Sequence, residues 1–307
     1  MMARLLCWLT GGLLLLLGCR TEPPRRFLAL GHIYRWDDTN DRMDPRIDAL
    51  DLSTYDGIWL LGDLTGRTAE RATTLDYLDR KFRLGSADTH WSLGNHDLIG
   101  GDTTHFVRRT GRPTFYYAPA VAPGLNVLVL NTNLFLWPGS DAADHRCVQL
   151  ARQAALVARA AAQQRAGDHL VVLHHHALLP QERADTLPSL NLVWNYYHPE
   201  FWTACDTART VATHYLPAFD AAAARGARVV MVGGDIGQRT KQFAHRDERG
   251  LLWLGTGINN SMDPAFAPPY VTDTSADHLL ELRYDPDGRT LDHRFVPLRD
   301  LVAVPAR

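Results

Sequence analysis

Trp91-Ser92-Leu93-Gly94-Asn95-His96-Asp97 is the stretch on which the reading of this chain turns. Residues 89–93 form a β-prone run that breaks at Gly94 into an amide, an imidazole and a carboxylate in succession. Each of these groups can ligate a cation or handle a proton, and the glycine permits the tight turn that gathers them. Working outward, the same arrangement recurs. Residues 57–61 read as a strand ending in Gly62-Asp63, and residues 228–232 as one ending in Gly233-Gly234-Asp235. Residues 170–173 read as a buried strand running into His174-His175-His176, and residues 27–30 as a short strand before Gly31-His32-Ile33-Tyr34. In open α/β sheets chemistry collects just past the carboxyl ends of strands. Metal-capable side chains at successive strand ends therefore predict one composite site.

The intervening segments complete an α/β pattern. Helical spacing runs over residues 68–82, with Leu75, Leu78 and Phe82 on one face, and over an Ala-rich stretch at 144–164 that Gly167 stops. Residues 207–225 read as a further helix in which Pro217 predicts a kink or break. Residues 125–130, 251–254, 278–283 and 291–296 read as strands. Residues 177–206 lack periodicity and hold Trp194, Tyr196, Tyr197, His198, Phe201 and Trp202. Two readings are open for this insertion: a loop packing its own apolar cluster, or an aromatic wall of a substrate cleft.

The chain has 307 residues, is 46% hydrophobic and carries a net charge of −2, enough for one large domain or two modest ones and with no basic run that calls for nucleic acid. Arg4 and the apolar run 5–17 read as a signal segment too short to span a bilayer comfortably. Leu16-Leu17-Gly18-Cys19 then resembles a bacterial lipobox, with Cys19 as the lipidated residue. The alternatives are an ordinary signal peptide or a buried apolar helix. On the lipobox reading, residues 1–18 are signal, 19–26 a tether and 27–307 the domain, held on the periplasmic or extracellular face of the cell envelope by lipid. Cys147 and Cys205 would remain with Cys19, free to pair in an oxidising compartment or to stay as separate thiols.

Gly62-Asp63, Gly94-Asn95-His96-Asp97 and a strand entering a histidine run, in that order, resemble the calcineurin-like metallophosphoesterase superfamily over about residues 27–260. The resemblance implies a four-layer αββα sandwich and a centre for divalent ions such as Mn, Zn or Fe. It implies that Asp63 bridges two metals, that Asn95 binds the second, and that a histidine of the run joins it. His174, first after the apolar run, is the expected ligand, with His175 beside the substrate. His96 would face the leaving-group oxygen, oriented by Asp97. Arg67 is either a phosphate contact or a solvated helix-start residue. Asn131 and Asn133 follow another strand and are candidates for the cleft lining.

Two motifs depart from the family. Where it has Asp-x-His this chain has His32 and Tyr34, and where it closes with Gly-His-x-His this chain has Gly234-Asp235-Ile236-Gly237. The second metal set thus reads Asp63, Asn95, His174 and Asp235, all able to coordinate. The first reads His32, Tyr34 and Asp63, and is thinned, because Tyr with its pKa near 10 is a poor ligand for most divalent ions. Three outcomes stay open: two metals with help from Asp37 or Asp38, one metal, or a non-catalytic lipoprotein that uses the fold to bind. The expected function is hydrolysis of a small or envelope phosphomonoester or phosphodiester.

Overall fold

The structure, a computed structural model, describes residues 22–36, 41–100, 103–135, 143–176, 178–179, 214–259, 267, 269 and 271–302. The signal, Cys19, Asp37, Asp38, Cys205 and all of the aromatic insertion except Leu178 and Leu179 lie outside them.

Two sheets form the centre. β1 (Arg25–Leu30), β2 (Gly57–Leu60) and β3 (Thr89–Trp91) run parallel, and the antiparallel β10 (His278–Asp285) and β11 (Thr290–Pro297) extend them in the order β11-β10-β1-β2-β3. In the second sheet, β5 (Leu125–Val129), β6 (His169–His174), β7 (Arg228–Gly233) and β9 (Leu252–Thr256) are parallel. Antiparallel edges, β4 (Ala120–Ala122) and β8 (Gln242–Arg246), close it on both sides.

The central strands are nearly all apolar because both of their faces are covered. Phe27, Ala29, Trp59 and Leu61 of the first sheet meet Val127, Val129, Val171, Leu173 and Val232 of the second in one inner core. The alternate residues face helices. Leu28, Leu30 and Leu60 pack with Leu75, Leu78 and Phe82 of α2 (Ala72–Phe82), which follows the short α1 (Pro45–Asp48). Leu128, Leu170, Val172 and Met231 pack under α5 (Ala143–Ala162) and α6 (Leu216–Ala224) through Val157 and Phe219. This is a four-layer αββα sandwich. Three short helices complete it: α3 (Asn95–Leu98), α4 (Thr104–Thr110) and α7 (Leu298–Leu301).

Two expectations change in detail. Residues 68–82 are a 3₁₀ turn, Thr68–Glu70, and then α2, separated by the extended backbone of Arg71. Of the helix expected over 207–225, residues 207–213 lie outside the described residues, and Pro217, expected to kink or break it, sits in the first turn of α6, where a missing N–H costs nothing.

On the outer face of β10, Glu281 is buried and pairs with Arg26 at 2.9 Å and Arg294 at 2.7 Å. Burial pushes its pKa up, but the two guanidiniums prevail and hold it below the ordinary 4.5. A depressed folded-state pKa gives stability that is present above about pH 4.5 and lost as pH falls further. Glu281→Gln should therefore cost on the order of 1 kcal/mol at pH 7, limited by the exposure of both arginines. Urea unfolding should show that difference shrinking toward pH 3.

Candidate metal centre

All the strand ends named above meet at one end of the sandwich. The loops approach so closely that side chains are excluded at their glycines. A Cβ on Gly94 would lie 2.1 Å from Asp63 Oδ1, and one on Gly62 (φ 88°) 2.4 Å from His175 Nδ1. His32 and Asp63 themselves adopt left-handed backbone, φ 50° and 54°, which is uncommon for residues with a Cβ and clusters at functional sites.

The resulting cluster is buried: His32, Asp63, His175, His176 and Asp235 are each no more than 3% exposed. Their donor atoms form two groups, each with its ligand atoms within 4.8 Å of one another: His32, Asp63 and Asp235, and His175, His176 and Asp235. Asp235 belongs to both. His175 Nδ1 donates to Leu61 O at 2.7 Å, which turns Nε2 toward Asp63 Oδ2 at 3.4 Å and Asp235 Oδ1 at 3.8 Å. That Nε2 is buried and has no hydrogen-bond partner, while its ring is fixed from behind by a backbone carbonyl, as in metal-binding histidines. His176 Nε2 donates to Asn95 Oδ1 at 3.2 Å, and its Nδ1 meets Thr132 Oγ1 at 2.7 Å.

The electrostatics follow from this packing. Burial opposes charge on His175, but Asp63 and Asp235 outweigh it and raise its pKa to about 10. Burial would raise Asp63, yet His175, His96 and His32 bring it well below the usual carboxylate range. Burial lowers His32 and His176. A cation bound by His175 Nε2 would take the place of its proton. Imidazole and carboxylate donors gathered in this way could hold a metal ion.

Several sequence expectations change here. His174 is not in the cluster. β6 extends one residue past the apolar run, pairing His174 with Gly233, so the period of two carries His174 to the outer face with Leu170 and Val172. It lines a small cavity with Leu178, Leu179, Phe243 and Trp253, and its Nδ1 donates to His176 O at 2.8 Å. Burial lowers it to about 4. His175, the first residue beyond the strand, takes the position expected of His174 and belongs to a ligand group.

Asp97 does not orient the His96 ring. It accepts from the backbone of Asp63 (2.9 Å), Leu64 (3.1 Å) and Gly94 (2.8 Å) and from Thr68 Oγ1 (2.7 Å), tying two strand-end loops together. Burial and Asp63 raise it to about 6 against those bonds. His96 is instead held by Gly66 O, 3.1 Å from its Nδ1, and its backbone N–H donates to Asp63 Oδ1 at 3.0 Å.

Tyr34 meets the site through its ring. It stacks on His96 at 5.2 Å and on Trp36 at 5.6 Å, with its edge toward His32 at 4.7 Å. Gly237 (φ 133°) turns the chain so that Gln238 Nε2 donates to His32 Nε2 at 2.9 Å, while His32 Nδ1 donates to Ile258 O at 3.2 Å. Arg67 is exposed and pairs with Glu70 at 3.5 Å. Asn133 braces Leu93 O at 2.8 Å. Sequence reasoning missed Gln238 and Thr132. Thr132 follows β5 at a strand end, as the other site residues follow theirs. Gln238 carried no signal.

The fold and site thus define an αββα sandwich with a buried His/Asp cluster at the carboxyl ends of its strands. No family model and no curated protein matches the chain. Among solved structures, Vacuolar Protein Sorting 29 from Cryptosporidium parvum is similar, with 9% identity, covering 90% of this chain and 100% of that one at TM-score 0.38. Vps29 from Chaetomium thermophilum has 12% identity, covering 89% and 98% at TM-score 0.32. A double mutant of Vps29 from Entamoeba histolytica has 11%, with the same coverage, at 0.30.

Proposed function

We propose that this chain is a metal-dependent phosphoesterase of the cell envelope, anchored by lipid on Cys19 and acting on a phosphomonoester or phosphodiester. The observation that carries the reading is the pair of His/Asp groups sharing Asp235, with half-buried Asn95 and His96 beside them. His32, Asp63 and Asp235 would hold one ion once His32 Nε2 gives up its bond from Gln238, and His175, His176 and Asp235, with Asn95 adjacent, a second once His176 Nε2 gives up the proton it shares with Asn95. When bound, such ions polarise phosphoryl oxygens and acidify water.

The protein's own groups do the rest. Gly66 O fixes the tautomer of His96 by taking its Nδ1 hydrogen, which leaves Nε2 to face a departing oxygen. Tyr34 packs the ring in place. Asp97 holds the Asp63 and Gly94 turns in register. Cys147 is disulfide-bonded, which supports an oxidising compartment outside the cytoplasm. Among the described residues no helix is long and apolar enough to cross a membrane.

The test is hydrolysis of aryl and alkyl phosphate mono- and diesters by the full chain with added Mn, Zn or Fe. His96→Ala should lower kcat by about 10²–10⁴-fold for alkyl leaving groups, and by less for aryl ones that depart without a proton. Absence of turnover with every metal would leave the fold as a binding module.

A further inference from the structure

The outer face of the first sheet is apolar under α2 but polar at its β10–β11 margin. There a cavity of about 400 Å³ is lined by Pro24, Arg26, Glu281, Arg283, Asp292 and Arg294, among others. Buried Glu281 pins the guanidiniums of Arg26 and Arg294. Exposed Arg283, which makes no ion pair among the described residues, lies between Arg26 and Asp292 in the strand register. With Asp56 beside Arg26 as a third carboxylate and Glu281 holding Arg26 and Arg294, Arg283 is the guanidinium of this groove left to face a ligand, on a rigid base. The planar fork of arginine matches a phosphate with two parallel hydrogen bonds.

The position of this groove gives it a partner. Pro24 immediately precedes β1, and Cys19 lies five residues before it. Even fully extended, that link spans no more than about 18 Å. The metal cluster is at the other end of β1, about 20 Å away at the rise of a strand. We infer that the arginine groove seats the phosphate of an anionic phospholipid headgroup in the membrane holding the Cys19 lipid, and so turns the mouth of the metal site away from that bilayer. The substrate then arrives from the aqueous phase and is not a lipid of the anchoring leaflet. This rests on the lipid-anchor reading of Cys19 and not on hydrolysis.

The test uses the full, lipid-modified chain in nanodiscs of neutral phosphatidylcholine, with or without anionic phosphatidylglycerol. Amide hydrogen exchange over residues 22–26, 281–284 and 291–295 should slow only in the anionic discs, while residues 94–98 and 233–238 exchange alike in both. Arg283→Gln should lower the docked population about fivefold, as expected for one arginine lost at a charged membrane surface, and Arg283→Lys should retain most of it. Equal exchange in the two discs overturns the inference. So does the same slowing caused by inorganic phosphate in neutral discs, which marks a free-anion site. Mass spectrometry showing no lipid on Cys19 also overturns it, yet leaves the hydrolytic reading standing.

Discussion

Asp235→Ala should empty both ligand groups at once, whereas His32→Ala and His176→Ala should each empty one. Asp235 is the one residue common to the two groups, so its loss removes a donor from each. It also leaves His175 with Asp63 as its nearer carboxylate, at 3.4 Å, and without the second at 3.8 Å. Removing a group that only supports a ligand costs about 10–100-fold in metal affinity, so removing the shared ligand should cost more. The exchange of residue types at His32 and Asp235 sharpens the expectation. The sequence placed these two departures on different metals. The structure puts both in one group with Asp63, which keeps one imidazole and two carboxylates in that set. The double variant His32→Asp with Asp235→His preserves this donor count and should recover metal that either single change loses. Elemental analysis of the purified variants checks all of these outcomes.

The second large effect is on stability. Asp277 accepts from Arg46 at 2.7 Å, pairs with Lys241 at 3.1 Å and takes the backbone N–H of Asn259 at 3.3 Å. Lys241 is only 1% exposed, and its ammonium also donates to Ser275 O. Arg46 in turn donates to Asp44, the N-cap of α1, at 2.6 Å. Asp277→Ala would leave Lys241 charged and buried without a carboxylate, and breaking such a pair costs about 3–5 kcal/mol. A fall of roughly 10 °C in Tm follows for a chain of this size. Adding Lys241→Met should restore part of the loss, because the stranded charge is then gone. The network also bears on the site. Gln238, behind His32, accepts from the N–H groups of Thr272 and Asp273 in the same loop system, so the variant should bind metal more weakly even where it stays folded.

The layers were legible because each central strand is a run of apolar residues bounded by glycine and polar residues. Phe27 to Leu30 and Leu170 to Leu173 could hardly be anything but covered on both faces. The edge strand β8 escaped notice because half of it faces solvent and its residues, Gln242 to Arg246, carry little apolar signal. At the site, the sequence brought the right loops together but not every atom. His174 and His175 differ by one step of a two-residue period. That step was settled by a backbone pairing with Gly233 that no side chain reveals. Asp97 follows His96 directly, and proximity in sequence suggested a pair. Asp97 sits instead under three converging backbone N–H groups, a consequence of how α3 starts against the Asp63 turn. Gly237 looked like a lost ligand, yet its left-handed turn is what delivers Gln238 to His32.

Titration of the full chain, purified in detergent and stripped with chelator, with Mn or Zn by calorimetry is the most direct test of the metal centre. Two ions should bind per chain, reduced to one by His176→Ala and to none by Asp235→Ala, with protons released on binding. A chain that binds no divalent ion, or binds it equally well without Asp235, would contradict a metal centre shared through Asp235.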